Sequence, residues 1–188
     1  MATGRNLVFR TPKVLVLTPK FSLYRIDPMS DKTRVDHPRR PPRLDRLFSS
    51  VRPFYFVTFN TYKRRPILAC AEINELFRSF CDRAEDYNIA VGRYVIMPDH
   101  IHLFVALPPT EATLPRWIQM LRTVLGKELL RLGVEKPHWQ EGFFDHVLRS
   151  SESYSQKWDY VRLNPVRAGL CNEAEEWPYQ GEIVSIRF

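Results

Sequence analysis

Long apolar segments are absent from this sequence, and cysteine is scarce. No apolar run in the 188 residues approaches the roughly 18 residues that a membrane span requires, so we expect a soluble protein. The three cysteines are odd in number and lack the paired spacing of a metal-binding motif. Their scarcity argues against a disulfide framework and predicts a reducing, cytoplasmic setting. Internal repeats of solenoid length are also absent, so the length predicts one domain with some extra chain.

Most of the chain has no excess of positive over negative side chains, although the formal net charge of the whole is +7. Residues 1–50 contain 11 Lys and Arg and 4 Asp and Glu, whereas residues 51–188 contain 17 of each kind. Net charge therefore does not predict nucleic-acid binding by the body of the chain. Such a prediction depends on local clusters, of which Lys63-Arg64-Arg65 is the clearest.

The first 50 residues combine basic side chains with six prolines, at positions 12, 19, 28, 38, 41 and 42. The segment His37–Arg43 cannot bury enough apolar surface to fold alone. Residues 1–50 are therefore predicted to form a mobile extension, and residues 51–188 the folded domain. The acid-poor composition up to Asp27 is also compatible with an organelle transit peptide, and Met29 is an alternative start. Contact with a nucleic-acid backbone is the alternative to a solvated tail.

Hydrophobic periodicity in the body predicts the element order β-α-β-β-α-β-α. The predicted strands lie near 54–59, 90–97, 100–107 and 142–149, and the predicted helices near 71–87, 114–132 and 151–164. Pro98-Asp99 indicates a tight turn, so the middle two strands form a hairpin. This order predicts a ferredoxin-like α+β fold, in which helices cover one face of an antiparallel or mixed sheet.

The most informative pattern is the alternation in His100-Ile101-His102-Leu103. Side chains on a strand alternate between faces, so His100 and His102 are neighbours on one face, while Ile101 and Leu103 begin an aliphatic opposite face. Neutral imidazole is the commonest metal ligand in proteins. The pair therefore predicts a chelating site, with two ordinary polar residues on a solvated face as the alternative.

The last long helix carries two stripes. At helical spacing, Tyr154, Trp158 and Val161 share an apolar side that should pack on the body. Tyr160 lies on a different, polar side, and Asn164 follows it one turn later. Tyr160 is thus a candidate nucleophile and Asn164 a candidate third metal ligand, whereas Tyr154, the rival nucleophile, is predicted to be buried.

Four strings of the sequence resemble those of one family. They are Met97–His102, Trp139–His146, Asp159–Leu170 and Trp177–Tyr179. Together they resemble the REP-associated tyrosine transposases, relatives of insertion-sequence transposases in the HUH superfamily of single-tyrosine enzymes. The resemblance covers about residues 52–180 and leaves residues 1–50 unexplained. It implies an antiparallel sheet with the two histidines on a central strand and the tyrosine on a C-terminal helix.

The resemblance implies metal-dependent cleavage and rejoining of single-stranded DNA at hairpins related to repetitive extragenic palindromes. Tyr160 would attack a phosphodiester, become linked to the 5′ phosphate and free a 3′ hydroxyl. A free phenol has a pKa near ~10 and is a weak nucleophile at neutral pH, so a cation beside it would assist the reaction. His100, His102 and Asn164 would bind that cation. The amide and phosphate oxygens favour Mg²⁺ or Mn²⁺ over a closed structural Zn²⁺ site, although imidazoles also suit Zn²⁺. A monomer is expected rather than a dimer.

Further side chains are candidates for nucleic-acid contact. They are Lys63, Arg64, Arg65, His146, Arg149 and Lys157. Trp139 and Phe143 could stack on unpaired bases, but burial is the interpretation that the sequence favours for both. Asp99 is expected to point away from the histidines and to cap the turn.

Two other functions are compatible with the same residues. One is a regulator that holds a DNA or RNA hairpin on this fold without cutting it. The other is a replication initiator or relaxase, in which the tyrosine helix would occupy a different place in the chain order.

Overall fold

The computed structural model describes residues 53–108 and 113–186. The strands are β1 (Phe54–Asn60), β2 (Ala90–Met97), β3 (His100–Ala106), β4 (Phe144–Leu148) and β5 (Gln180–Glu182). The helices are α1 (Ala71–Asp82), α2 (Leu114–Arg131), α3 (Ser151–Arg162) and the single-turn α4 (Asn164–Arg167). The predicted extension over residues 1–50 and the boundary at residue 51 lie outside the described residues. None of the helices in the described ranges has the length and apolar content needed to cross a bilayer.

The five strands form one antiparallel sheet in the order β4-β1-β3-β2-β5. The first four strands have the ferredoxin-like order that the sequence predicts, and β3, which carries both histidines, is the central strand. Thr58 of β1 is opposite His102 of β3 on one side and Phe144 of β4 on the other. Opposed residues point to the same face of a sheet, so these three side chains form a row. The short strand β5, which the sequence does not predict, pairs with the free edge of β2.

Alternation along the strands gives the sheet two apolar faces. One face packs against α1 and α2; its members include Val57, Phe59, Ile101, Leu103 and Val105. The opposite face, called the site face below, packs against α3; its members include Phe54, Phe56, Thr58, His102 and Phe104. Helices thus cover both faces, and the prediction that they cover one face is wrong. A stripe shows which side of a helix is buried, but not which face of the sheet buries it.

Candidate active site

Two imidazoles face each other at the start of the central strand. His100 Nε2 lies 3.0 Å from His102 Nε2. Both side chains are on the site face because β3 is a regular strand from His100 onward. His102 is buried and His100 is half-buried. The structure therefore brings the two predicted ligands together in a site that is largely shielded from solvent.

Hydrogen-bond partners fix which ring nitrogen carries the proton on each histidine. Asp99 Oδ1 lies 2.6 Å from His100 Nδ1, and a carboxylate only accepts, so that nitrogen donates. Asn164 Nδ2 lies 2.9 Å from His102 Nε2 and only donates, so that Nε2 accepts. His102 Nδ1 then donates to Thr58 Oγ1 at 2.7 Å. Neither Nε2 then carries a proton, and the lone pair of His102 Nε2 accepts the Asn164 amide hydrogen.

Both imidazoles are held in the neutral form. Burial, followed by the positive charges nearby, lowers the pKa of His102 to about 3. Burial also lowers the pKa of His100, although the Asp99 carboxylate acts in the opposite direction. At neutral pH neither ring is charged, so both Nε2 atoms are able to bind a cation once the Asn164 amide turns away from His102.

The break between α3 and α4 positions the third donor. Ser150 caps α3, since its Oγ accepts a backbone N–H of the first turn at 3.2 Å, which is worth about 1 kcal/mol. The sequence predicts that this helix ends near Asn164, and α3 ends at Arg162. Pro165 has no amide hydrogen with which to continue the hydrogen-bond ladder. A new turn starts instead at Asn164, whose carboxamide reaches His102.

Tyr160 lies one turn before Asn164 on the open side of α3. Its side chain is 63% exposed, whereas Tyr154 is 6% exposed and packs against the site face, as the two stripes predict. The Arg167 guanidinium lies 4.3 Å from the centre of the Tyr160 ring. It also donates to the Tyr160 carbonyl and to Asn164 Oδ1. Arg167 thus links the tyrosine to the amide beside the histidines.

The amide of Asn164 presents its nitrogen, rather than its oxygen, to the imidazoles. Nδ2 donates to His102, while Oδ1 accepts from Arg167. Hard cations bind amides through the oxygen. Ligation by Asn164 would therefore require its carboxamide to turn over and to release Arg167.

Three cationic side chains from three elements surround the imidazoles. Arg64 comes from the turn after β1, Lys157 from α3 and Arg167 from α4, and each contributes to the lowered pKa of His102. Lys157 Nζ lies 5.3 Å from the centre of the Phe56 ring, on the site face. These charges favour an anion beside the imidazoles, and phosphate is the anion that such clusters commonly bind.

Asp99 also belongs to the site, and the expectation that it points away is wrong. Its Oδ1 contacts His100, and its Oδ2 lies 2.7 Å from Arg64 Nε. Asp99 precedes the strand, so the alternation of strand residues does not govern its direction. A carboxylate behind an imidazole is a frequent partner of metal-binding histidines, which it orients and makes more basic.

Of the remaining candidates for nucleic-acid contact, one makes a structural hydrogen bond and the others are exposed at the surface. Arg65 braces a loop, since its Nη1 donates to the Glu135 carbonyl at 2.9 Å. Lys63 is exposed in the turn after β1. His146 is exposed on the site face of β4, and Arg149 is exposed just beyond that strand. Of these four candidates, only His146 lies on the site face of the sheet.

Trp139 and Phe143 lie against the core, as the favoured interpretation of the sequence predicts. Trp139 Nε1 donates to the Arg122 carbonyl at 2.9 Å. The neighbouring Phe144, which the sequence analysis does not single out, is 58% exposed on the site face. Adjacent residues on a strand face opposite sides, and only the pairing with β1 decides which phenylalanine faces the site.

The donor spacing is compatible with an octahedral cation. Ligands bound at about 2.1 Å and at right angles lie about 3.0 Å apart, whereas a tetrahedral site separates them by about 3.3 Å. The Nε2 atoms of His100 and His102 are 3.0 Å apart. No group of three or more His, Cys, Asp or Glu side chains gathers anywhere in residues 53–108 and 113–186. Two imidazoles and one amide would therefore leave coordination positions open to other ligands, unlike a closed structural zinc site.

The class of protein that this fold and site define is the IS200-like transposases. The family model described as "Transposase IS200 like" matches residues 52–162, so the chain belongs to that family. Within the family, its homologues are the REP-associated tyrosine transposases.

Two relatives and one solved structure give the extent of the similarity. The REP-associated tyrosine transposase of Escherichia coli K12 is 25% identical over 126 residues, which cover 66% of this chain and 73% of the relative. A Haemophilus influenzae protein named for the same group is 28% identical over 135 residues, covering 66% and 77%. A REP-associated tyrosine transposase solved with a bound REP hairpin has a TM-score of 0.59 at 22% identity, covering 78% of this chain and 82% of that chain. This likeness confirms the α+β fold.

Proposed function

We propose that the protein cleaves and rejoins single-stranded DNA at REP-like hairpins through a covalent 5′-phosphotyrosine. Tyr160 is the nucleophile, and His100, His102 and Asn164 are the ligands of Mg²⁺ or Mn²⁺, within one monomer. The observation that carries the proposal is that His100 Nε2 and Asn164 Nδ2 each lie within 3.0 Å of His102 Nε2, one helical turn from the exposed Tyr160. The name of the Escherichia coli relative and the hairpin bound in the solved relative support the choice of substrate.

The proposed step exchanges one phosphoester for another. Tyr160 Oη bonds to phosphorus while the bond from phosphorus to O3′ breaks; the phenol proton leaves to solvent, and O3′ takes up a proton. Because one phosphoester bond replaces another, its bond energy is conserved in the tyrosyl ester. A 3′ hydroxyl can later attack this ester without an external energy source. The chemistry that a bound Mg²⁺ or Mn²⁺ supplies is neutralisation of charge on the scissile phosphate.

The chain's own side chains have distinct parts in this proposal. Arg167 orients the Tyr160 ring from 4.3 Å. Lys157 and Arg64 hold phosphate oxygens next to the imidazoles, where phosphate contacts fix the position of the strand without reading its sequence. Arg149 continues the path along β4.

The direct test uses hairpin oligonucleotides taken from the palindromes that flank the gene. Purified protein is incubated with each oligonucleotide in Mn²⁺ or in excess chelator, and covalent adducts are separated under denaturing conditions. We expect an adduct that requires the metal and carries the 5′ phosphate side of the cut. Tight binding without an adduct under both conditions would contradict the proposal and favour a non-cleaving regulator.

We expect Asp99→Asn to weaken Mn²⁺ binding about ten- to a hundredfold, because an outer hydrogen-bond partner of this kind orients the ligand imidazole and raises its basicity. Titration calorimetry or Mn²⁺ electron paramagnetic resonance gives the affinity. Asp86→Asn, an exposed carboxylate in the turn before β2, is the matched control and should leave the affinity unchanged. Equal affinities for Asp99→Asn and the wild type would show that His100 does not depend on this carboxylate.

A further inference from the structure

A row of aromatic rings runs along the site face from the imidazoles to the edge of the sheet. The His102 ring stacks on Phe56, with centroids 5.5 Å apart and planes at 19°. Phe144 of the edge strand β4 meets Phe56 edge-on at 6.4 Å. The two inner rings are buried, but Phe144 is 58% exposed. The row therefore ends in an open aromatic surface beside the site.

The position of Phe144 relative to the imidazoles follows from the strand register. Thr58 is paired with His102 on one side and with Phe144 on the other, and its hydroxyl contacts His102 Nδ1 at 2.7 Å. Two strand spacings place Phe144 about 10 Å from His102 along the sheet. A strand whose phosphate lies at the imidazoles would thus bring a neighbouring base, one or two nucleotides away, over β4.

The charges around this aromatic surface favour a nucleic acid over an apolar protein partner. Lys157 lies over Phe56, whose ring contacts both His102 and Phe144. Alternating cationic and aromatic groups are the pattern with which proteins hold unpaired strands, because phosphates meet the cations and base faces meet the rings. A paired base in a duplex already stacks on its neighbours, so its face is less available.

We infer that Phe144 is a stacking subsite for one unpaired nucleobase that flanks the scissile phosphate. The inference rests on the proposed function for the position of that phosphate. Phe144 contributes the flat apolar contact, and its place on the edge strand leaves room for a base to approach from the open side of the sheet. The subsite accepts any base in principle, since every nucleobase has a π face.

The test asks whether the contribution of the Phe144 ring to DNA affinity depends on one particular base. Each base of the single-stranded segment that flanks the hairpin is replaced in turn by an abasic site. The affinity of each oligonucleotide is then measured for Tyr160→Phe with Phe144 or with Phe144→Ala, so that no adduct forms. At one position only, we expect the abasic site to lower the DNA affinity of the protein with Phe144 about five- to a hundredfold. In Phe144→Ala, the oligonucleotides with and without that base should bind with equal affinity. Phe144→Trp should keep the sensitivity to that base.

Tyr87→Ala is the matched control, since Tyr87 is 69% exposed in the turn between α1 and β2. It should leave every affinity unchanged. Equal losses at all abasic positions, or none, in both backgrounds would overturn the stacking subsite even if the wild-type protein forms its adduct. Conversely, a base-specific coupling without any adduct from the wild type would support the subsite and refute the cleavage proposal.

Discussion

Tyr160→Phe should abolish the covalent adduct with hairpin DNA, lowering its rate of formation by at least about a thousandfold, because it removes the oxygen that the proposed reaction bonds to phosphorus. The substitution removes one oxygen from a side chain that is 63% exposed. Its ring remains available to the Arg167 guanidinium, which lies 4.3 Å from its centre. Metal and DNA affinities should therefore change little, and the loss should appear in the chemical step. Gel separation of labelled adducts over time gives the rate.

Tyr154→Phe is the control for this prediction. It removes the same atom from the same helix, but from a ring that is 6% exposed and packed on the site face. We expect adduct formation to continue at close to the wild-type rate. An adduct that persists in Tyr160→Phe and disappears in Tyr154→Phe would show that Tyr154, and not Tyr160, is the nucleophile.

The parts of the site that the sequence predicts are those governed by a fixed period. The alternation of strand side chains places His100 and His102 together, and the helical period separates Tyr154 from Tyr160. Both outcomes follow from backbone geometry that every strand or helix shares. The order of the elements likewise predicts the antiparallel ferredoxin-like sheet, since the connections between consecutive strands and helices allow few ways of placing the strands in one sheet.

The parts of the site and fold that the sequence does not predict depend on contacts with residues that are distant along the chain or outside any regular element. Asp99 lies in a turn, where no period applies, and its direction is set by contacts with His100 and Arg64. The choice between Phe143 and Phe144 depends on how β4 pairs with β1, and a shift of one residue would exchange them. The three-residue strand β5 exists only through its pairing with β2. Such features need the tertiary structure.

The two-faced cover of the sheet has a functional consequence that a one-faced cover would lack. With α1 and α2 on the face opposite the histidines, the site face is left to α3 and the segment that follows it. The tyrosine and the amide can then approach the imidazoles from above the sheet. Had all the helices packed on one face, Tyr160 and His102 would be on opposite sides of the sheet.

His102→Ala should have the largest effect on metal binding, lowering Mn²⁺ affinity by more than about a hundredfold, which exceeds the loss expected for an outer partner. The reason is geometric: His102 Nε2 is the atom that both His100 Nε2 and Asn164 Nδ2 approach, at 3.0 Å and 2.9 Å. Removing it takes away one ligand and leaves the other two with no common centre. Cleavage of hairpin DNA should be lost together with the metal.

Because His102 is buried against Phe56, the substitution also removes packing, and the readout must separate stability from binding. Ligand binding to the native state raises the free energy of unfolding by about 2.7 kcal/mol when the ligand is at a hundredfold excess over Kd. The wild type should therefore gain thermal stability as Mn²⁺ is added. His102→Ala should start from a lower midpoint and gain none over the same range.

His146→Ala supplies the comparison, since His146 is exposed two strands away from the pair on the same face of the sheet. Its Mn²⁺-dependent gain in stability should equal that of the wild type. A gain that survives in His102→Ala and disappears in His146→Ala would move the metal from the central strand to the edge of the sheet. That result would also separate the cation from Asn164 and Tyr160, and the proposed chemistry would then have no means of acting on a single phosphate.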